Sequence, residues 1–224
     1  MLDRPPPTVL GIDEAGRGAW LGPLVVGGVA VPREALAAVR ATGARDSKTL
    51  SPRRREEILE LLRDRAEVRT VEAPPDEIDR HVSAGQLNQL EAMLFGRLAR
   101  QFAPVEARVD ACDANARRFG LEVGRHAGPE VRVVARHHAD ALDPLVGAAS
   151  IVAKVHRDRA IRRLAEELGE PIGSGYPSDR ITVDFVRRTV RPDTPRPAWL
   201  RASWSTTRRV IGGVTPRTVS PALP

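Results

Sequence analysis

The chain of 224 residues is 42% hydrophobic and 29% charged, which is typical of a globular protein with one sizeable core and excludes a disordered or fibrous chain. It has no apolar stretch of transmembrane length and no signal-peptide pattern, so we expect a cytoplasmic protein with no membrane partner. The formal net charge of +6 suits a polyanionic partner, but charge alone does not distinguish a nucleic-acid enzyme from other basic proteins.

The first part of the chain predicts two buried strands followed by two helices. Residues 8–31 contain two apolar, valine-rich runs joined by a glycine-rich turn, which is typical of a pair of strands. A helix is expected over residues 32–40, where a proline precedes good helix formers. Ser51 followed by Pro52 has the pattern of an N-cap and a first helical residue, and predicts a helix to about residue 65.

The rest of the chain predicts three more strands among helices. Strands are expected at residues 68–72, 107–112 and 131–135, and helices after Pro74-Pro75, at 86–101, at 144–168 and near 182–189. Small residues in the first half of the 144–168 helix would allow it to approach a sheet closely. This alternation predicts a single α/β domain over residues 7–212, with its core ending near residue 155, a helical C-terminal part and a flexible tail at 213–224.

The octet Gly-Ile-Asp-Glu-Ala-Gly-Arg-Gly at residues 11–18 is the most informative segment. Asp13 and Glu14 are adjacent carboxylates at the end of an apolar strand, and their mutual repulsion favours a bound cation. The Gly16-Arg17-Gly18 turn offers unobstructed backbone N–H groups and a positive charge to a phosphate. Together these features predict a metal-dependent site that acts on a phosphodiester.

Two further acidic segments follow a predicted strand or precede a predicted helix: Asp110 with Asp113, and Asp140 with Asp143. Each aspartate alone is more typical of a helix N-cap or a solvated turn. Combined with the octet, however, these segments would place several carboxylates at one end of a sheet. The single cysteine and five scattered histidines show no zinc spacing, so the carboxylates favour Mg²⁺ or Mn²⁺. Two such ions can activate a water and stabilise a leaving oxygen.

Two rare residue types add candidate positions. Lys48 and Lys154 are the only lysines among 35 basic residues, and Tyr176 is the only tyrosine. Because arginine fills nearly every other basic position, we interpret the lysines as sites that require a compact ammonium. The alternatives are solvated surface lysines and a turn aromatic packed against the core.

Six segments, in the same chain order as in the family, resemble ribonuclease HII, most closely its archaeal branch. They are the octet at 11–18, Asp46-Ser47-Lys48-Thr49-Leu50, Val109-Asp110-Ala111, Ala139-Asp140 with the Ala148–Val155 segment, Gly-Ser-Gly-Tyr-Pro-Ser-Asp at 173–179, and Ser203-Trp204. The resemblance spans residues 9 to 210. It implies an α/β ribonuclease H-like fold, in which helices flank a mixed five-stranded sheet and a helical extension follows.

The resemblance also implies a reaction. The family hydrolyses the RNA strand of RNA–DNA hybrids and incises 5′ to ribonucleotides embedded in duplex DNA, using two divalent cations and water as the nucleophile to leave 5′-phosphomonoesters. Its catalytic and metal-binding carboxylates fall on Asp13, Glu14, Asp110 and Asp140. The Ala-Asp-Ala block, rather than spacing, selects Asp140 over Asp143.

The substrate-binding positions implied by the resemblance are Gly16, Arg17, Gly18, Lys48, Lys154 and Tyr176. The glycine-flanked turn would contact the ribonucleotide 2′-hydroxyl, the tyrosine would pack on the following deoxyribose, and the lysines would lie near phosphates. The chain departs from the family at Ala19, where a proline is usual, and at Leu142, where a basic residue is usual. It also departs at Arg201-Ala202-Ser203-Trp204, which lacks the second arginine often seen before Ser-Trp.

The sequence leaves two alternative functions open. A different ribonuclease H-fold nuclease acting on DNA would have no use for a turn that detects a 2′-hydroxyl, and a non-catalytic nucleic-acid-binding module would not need four carboxylates. The C-terminus has no glutamine-plus-aromatic segment, so we predict no sliding-clamp binding. A monomer is the default expectation.

Overall fold

The computed structural model describes residues 8–44, 47–191 and 195–210. Its sheet is built from β1 (Thr8–Ala15), β2 (Leu24–Pro32), β3 (Glu67–Ala73), β4 (Glu106–Asp110) and β5 (Arg132–Arg136), in the order β3-β2-β1-β4-β5. The two pairings that involve β2 are antiparallel, whereas β1–β4 and β4–β5 are parallel. The mixed five-stranded sheet that the resemblance implies is therefore confirmed.

Nine α-helices lie in the described ranges. They are α1 (Leu36–Ala41), α2 (Pro52–Arg63), α3 (Pro75–Ser83), α4 (Leu87–Phe102), α5 (Ala116–Ala127), α6 (Ala139–Leu142), α7 (Pro144–Leu168), α8 (Arg180–Thr189) and α9 (Ser205–Val210). Short 3₁₀ turns precede α1 and α2, at Arg33–Ala35 and Ser47–Thr49. The helix expected from residue 32 thus begins as a 3₁₀ turn, and α5, α6 and α9 were not predicted.

Local sequence signals explain where the main helices begin. Ser51 accepts a hydrogen bond from Arg54 N at 3.2 Å and Pro52 occupies the first turn of α2, as predicted. Asp143 and Asp179 cap α7 and α8 in the same way, through backbone N–H groups two residues ahead.

The two faces of the sheet pack on different helices because side chains alternate along a strand. Leu10 and Ile12 belong to a core with α4 and α5, whereas Val9 and Val29 belong to a core with α2 and α7. A third, smaller core joins the segment after β1 to α8 and the C-terminal residues. β1 therefore contributes to the first two cores, and the segment that follows it contributes to the third.

Glycines in β1 and β2 let α7 lie directly on the sheet. A Cβ at Gly11 would be 2.4 Å from the Leu145 carbonyl oxygen, and one at Gly27 would be 2.6 Å from the Ala149 carbonyl oxygen. The predicted close approach of the small-residue helix is thus confirmed, and it holds Ser150 beside the end of β1.

Some predictions concern parts of the chain that the structure does not describe. The described residues do not include Asp46, the side chain of Lys48 or the tail at 213–224. The prediction that the C-terminus has no clamp-binding segment also concerns residues outside the described ranges. Among the helices that are described, none is both long and apolar enough to span a membrane. The single-domain boundaries and the monomeric state stay predictions.

Candidate active site

The parallel ladder between β1 and β4 brings two predicted carboxylates together. The residues just before Asp13 and Asp110 are paired in this ladder, so both aspartates lie at the same end of the two parallel strands. Asp140 joins them from the first turn of α6, which is tied to β4 because Ala139 N donates to Asp110 Oδ1 at 2.8 Å. One carboxylate oxygen from each aspartate lies within 4.8 Å of the other two.

Strand alternation places Glu14 apart from this group of three. Asp13 lies on the α7 face and accepts a hydrogen bond from Ser150, whereas Glu14 lies on the α4 face, where Glu91 is an acidic neighbour. One carboxylate oxygen of Glu14 is buried and has no hydrogen-bond partner within the described residues. The predicted set of four is thus three clustered aspartates with Glu14 beside them in the same cavity.

Burial and mutual repulsion perturb these carboxyl groups. Burial, with the nearby charge of Asp110, raises the pKa of Asp13 from 3.8 to about 7, against the opposing hydrogen bond from Ser150. Burial and the charge of Asp13 also raise the pKa of Glu14 well above its ordinary value. Full ionisation of these neighbouring carboxyl groups is therefore unfavourable, and a bound cation would reduce their mutual repulsion.

The residues fit a hard divalent cation. The cluster consists of carboxylates alone, its members are buried or half-buried, and Glu14 adds an unpartnered oxygen. Oxygen donors of this kind favour Mg²⁺ or Mn²⁺ over softer metals. The donor set therefore supports the predicted metal class.

Asp113 and Asp143, which the resemblance passes over, have partners outside the aspartate cluster. Asp113 accepts from Asn115 N at 2.7 Å and from the Arg118 guanidinium, which hold the pKa of its carboxyl at about 2. Asp143 caps α7 and pairs with Arg108 at 3.0 Å. Asp143 is thus a helix cap, as the alternative interpretation has it, whereas Asp113 is buried and paired and neither caps a helix nor lies in a solvated turn.

The glycine-flanked turn presents its backbone rather than its arginine. Arg17 Nε donates to Glu91 Oε1 at 2.8 Å, and its Nη2 donates to Asn88 Oδ1 at 2.7 Å, so the guanidinium is bound to α4. Gly16 has φ +95°, and a Cβ at Gly18 would meet nothing within 4 Å. The half-buried Arg17 charge, which was expected to face a phosphate, is instead paired with Glu91, and the turn is exposed at Gly18.

Arg201, for which the sequence predicted no role, fixes the orientation of this turn. Its guanidinium is fully buried and donates to the carbonyl oxygens of Gly16 at 2.6 Å, Arg17 at 3.1 Å and Gly22 at 3.0 Å. Because N–H and C=O point in opposite directions in a trans peptide, the N–H groups of Arg17 and Gly18 point away from Arg201. The sequence contains no local signal for this contact, which spans 185 positions.

The loop that carries Tyr176 is fixed by hydrogen bonds to α8. Asp179 accepts from Ser174 N at 2.6 Å, and Thr182 accepts from Gly175 N at 2.9 Å. Gly175 O in turn accepts from Trp20 N at 2.8 Å, which ties this loop to the segment after the glycine-flanked turn. The Gly-Ser-Gly-Tyr-Pro-Ser-Asp motif therefore builds a rigid support for the tyrosine.

Lys154 lies on α7 beside this tyrosine. Its Nζ donates to Asp158 Oδ1 at 2.7 Å and lies 5.5 Å from the centre of the Tyr176 ring. The side chain lines the same cavity of about 260 Å³ as the carboxylates, the turn and Tyr176. Every predicted site residue with a described side chain lines this cavity.

We expect the Asp13→Asn variant to be more stable than the unsubstituted protein when no metal is present. Because the pKa of Asp13 is raised in the folded state, ionisation of its carboxyl lowers the free energy of unfolding. This loss of stability is absent below pH 4, grows between pH 4 and pH 7, and is constant above pH 7. Since one pKa unit corresponds to about 1.4 kcal/mol, the melting temperature in EDTA at pH 8 should rise by several degrees. Thermal unfolding at pH 4 and pH 8 checks this, with Asp143→Asn as the matched control. An equal change at both pH values would contradict it.

Comparisons with known proteins agree with this geometry. A family model described as ribonuclease HII matches residues 10–207. The chain is 44% identical over 205 residues to the ribonuclease HII of Methanocella arvoryzae, a match that covers 91% of this chain and 92% of that protein.

Solved structures show the same relationship. The crystal structure of the ribonuclease H2 from Pyrococcus horikoshii OT3 has a TM-score of 0.82 and 36% identity, covering 91% of this chain and 97% of that one. The RNase HII of Archaeoglobus fulgidus, solved in complex with PCNA, has a TM-score of 0.80 and 38% identity, covering 88% of this chain and 95% of that one.

Proposed function

This chain belongs to the ribonuclease HII family of endoribonucleases, and we propose that it cleaves the RNA strand of RNA–DNA hybrids and incises duplex DNA 5′ to embedded ribonucleotides. The observation that carries the proposal is that a carboxylate cluster and a glycine-flanked backbone turn, exposed at Gly18, line one cavity. The carboxylates supply a site for phosphodiester hydrolysis, and the turn supplies a means of detecting a 2′-hydroxyl.

The carboxylates would hold the cations. Asp13, Asp110 and Asp140 would bind them, with Glu14 contributing its unpartnered oxygen. When bound, two Mg²⁺ or Mn²⁺ ions supply an activated water as the nucleophile and stabilise the leaving oxygen, which yields a 5′-phosphomonoester. The contacts of Ala139 N with Asp110 and of Ser150 with Asp13 orient these carboxylates before metal arrives.

The turn would select the sugar. The N–H groups of Arg17 and Gly18 point away from the buried Arg201, and Gly18 places no side chain in their way. A ribose 2′-hydroxyl can accept from such groups, whereas a deoxyribose leaves them unpaired. This use of the turn favours a ribonucleotide-specific nuclease over a nuclease that acts on DNA alone.

The proposal is tested by mapping cleavage on three labelled duplexes: all-DNA, DNA with one ribonucleotide, and an RNA–DNA hybrid. We expect incision 5′ to the ribonucleotide and along the RNA strand in Mg²⁺, no cleavage of all-DNA, and no cleavage of any duplex in EDTA. Cleavage of all-DNA would support a different nuclease, and duplex binding without cleavage in Mg²⁺ or Mn²⁺ would support a non-catalytic module.

Tyr176 is expected to favour a deoxyribose after the ribonucleotide. Its ring can pack flat on that sugar, and a 2′-hydroxyl there would be desolvated without a partner. A stacking contact of this kind contributes about 1–3 kcal/mol, so Tyr176→Ala should lower kcat/KM on the single-ribonucleotide duplex about tenfold or more. The hybrid, whose RNA strand has no junction, serves as the reference substrate. An equal loss on both substrates would mean that the tyrosine only packs its loop.

A further inference from the structure

Arg157, in the middle of α7, contacts both of the elements proposed to read the substrate. Its side chain is fully buried. The guanidinium carbon lies 4.2 Å from the centre of the Tyr176 ring, and Nη2 donates to the Ser174 carbonyl oxygen at 2.9 Å. Its Cδ and Nε pack against Gly16, where a Cβ would be only 2.8 Å away. One side chain thus spans from the glycine-flanked turn to the tyrosine loop.

These contacts are poorly explained as a source of stability. The nearest carboxylate oxygen belongs to Asp158 and is 3.6 Å from Nη1, beyond hydrogen-bond distance. Both Nε and Nη1 are buried without a hydrogen-bond partner among the described residues. Burial also lowers the pKa of Arg157. A buried charge compensated this weakly destabilises a fold, and an apolar side chain of similar length would fill the space at less cost.

We propose that Arg157 is a positioning residue that fixes the distance between the Gly16–Gly18 turn and Tyr176, so that a ribose and the deoxyribose after it are recognised together. The inference rests on the function proposed above. It concerns the spacing of two recognition elements and gives Arg157 no contact with the reacting phosphate.

The shape of arginine suits this role. Its planar guanidinium can lie flat against the Tyr176 ring while its edge donates to the Ser174 carbonyl. A lysine ammonium is a compact point charge and cannot make both contacts in that arrangement. Gly16 completes the fit, since any side chain there would occupy the space of Arg157.

The test compares Arg157→Lys and Arg157→Met with the control Arg163→Lys, an exposed arginine on the same helix. Each variant is assayed on the single-ribonucleotide duplex and on the RNA–DNA hybrid. We expect both Arg157 variants to lose about tenfold in kcat/KM on the first substrate and little on the second. Arg157→Met removes a poorly compensated buried charge, so it should fold even if the lysine variant does not.

A double-mutant cycle with Tyr176→Ala gives a second readout. If Arg157 acts by positioning the ring, the double variant should be no worse than Tyr176→Ala alone, because the same contact has already been lost. The inference would be overturned if the Arg157 variants lost kcat/KM equally on both substrates. It would also be overturned if the losses of the two single variants multiplied in the double variant. Failure of the unsubstituted enzyme to cleave either substrate would instead overturn the proposed function.

Discussion

We expect the Asp140→Asn substitution to remove nearly all RNA cleavage and the Asp143→Asn substitution to leave most of it. Asp140 contributes an oxygen to the aspartate cluster, whereas Asp143 caps α7 and pairs with Arg108. An amide keeps the size of the side chain but supplies no anionic oxygen for a cation. Loss of several kcal/mol of transition-state stabilisation corresponds to a decrease of about 10³-fold in kcat. Asp13→Asn should behave like Asp140→Asn.

The Asp143→Asn variant is a close control for this experiment. Asparagine caps helices about as well as aspartate, so α7 should keep its start and the protein its stability. An inactive Asp143→Asn beside an active Asp140→Asn would overturn the assignment. Duplex binding should survive in the cluster variants, because phosphate contacts to other residues dominate affinity.

We expect Arg201→Lys to impair ribonucleotide recognition about 100-fold. Arg201 bonds three carbonyl oxygens at once, and two of them belong to Gly16 and Arg17 in the turn. A lysine cannot reach all three in the same fork geometry, so the turn peptides would lose their fixed orientation. A displacement of about 1 Å in a recognition element can reduce a rate by about 10². Single-turnover cleavage of the single-ribonucleotide duplex checks this.

Arg209→Lys, an exposed substitution in α9, is the matched control for Arg201→Lys. Buried carbonyls that lose a donor destabilise a fold by about 1–3 kcal/mol each, so the melting temperature of Arg201→Lys should also fall by several degrees. Normal cleavage together with a normal melting temperature in Arg201→Lys would show that the turn does not depend on this side chain.

The sequence predicted the sheet and the carboxylate edge well because both follow from local patterns. Apolar runs located four of the five strands, and alternation located the one at residues 68–72. The caps at Ser51 and Asp143 mark where α2 and α7 begin. Asp13 and Asp110 could be expected to meet because each follows the apolar run of a predicted strand. The parallel register that joins them confirms this placement.

The sequence did not predict features that depend on distant contacts. Helix α5 was missed for another reason, since the Asn115 cap and the helical spacing of Phe119 and Val123 are local signals that went unrecognised. The buried Arg157 and Arg201 look like ordinary basic residues in a chain rich in arginine. Glu91 could have been found, since it is a charged residue between the buried Leu90 and Ala92 of a helix that packs into the core.

The most direct test of ribonucleotide recognition at this site compares two duplexes that differ by one oxygen atom. One carries a single ribonucleotide, and the other carries the matching deoxyribonucleotide at the same position. A site whose turn is built to pair with a hydroxyl discriminates against its absence by about 10⁴-fold or more. In Mg²⁺ we therefore predict incision 5′ to the ribonucleotide and a rate at least about 10⁴-fold lower on the deoxy duplex. Similar rates on the two duplexes would contradict recognition of the 2′-hydroxyl by this site.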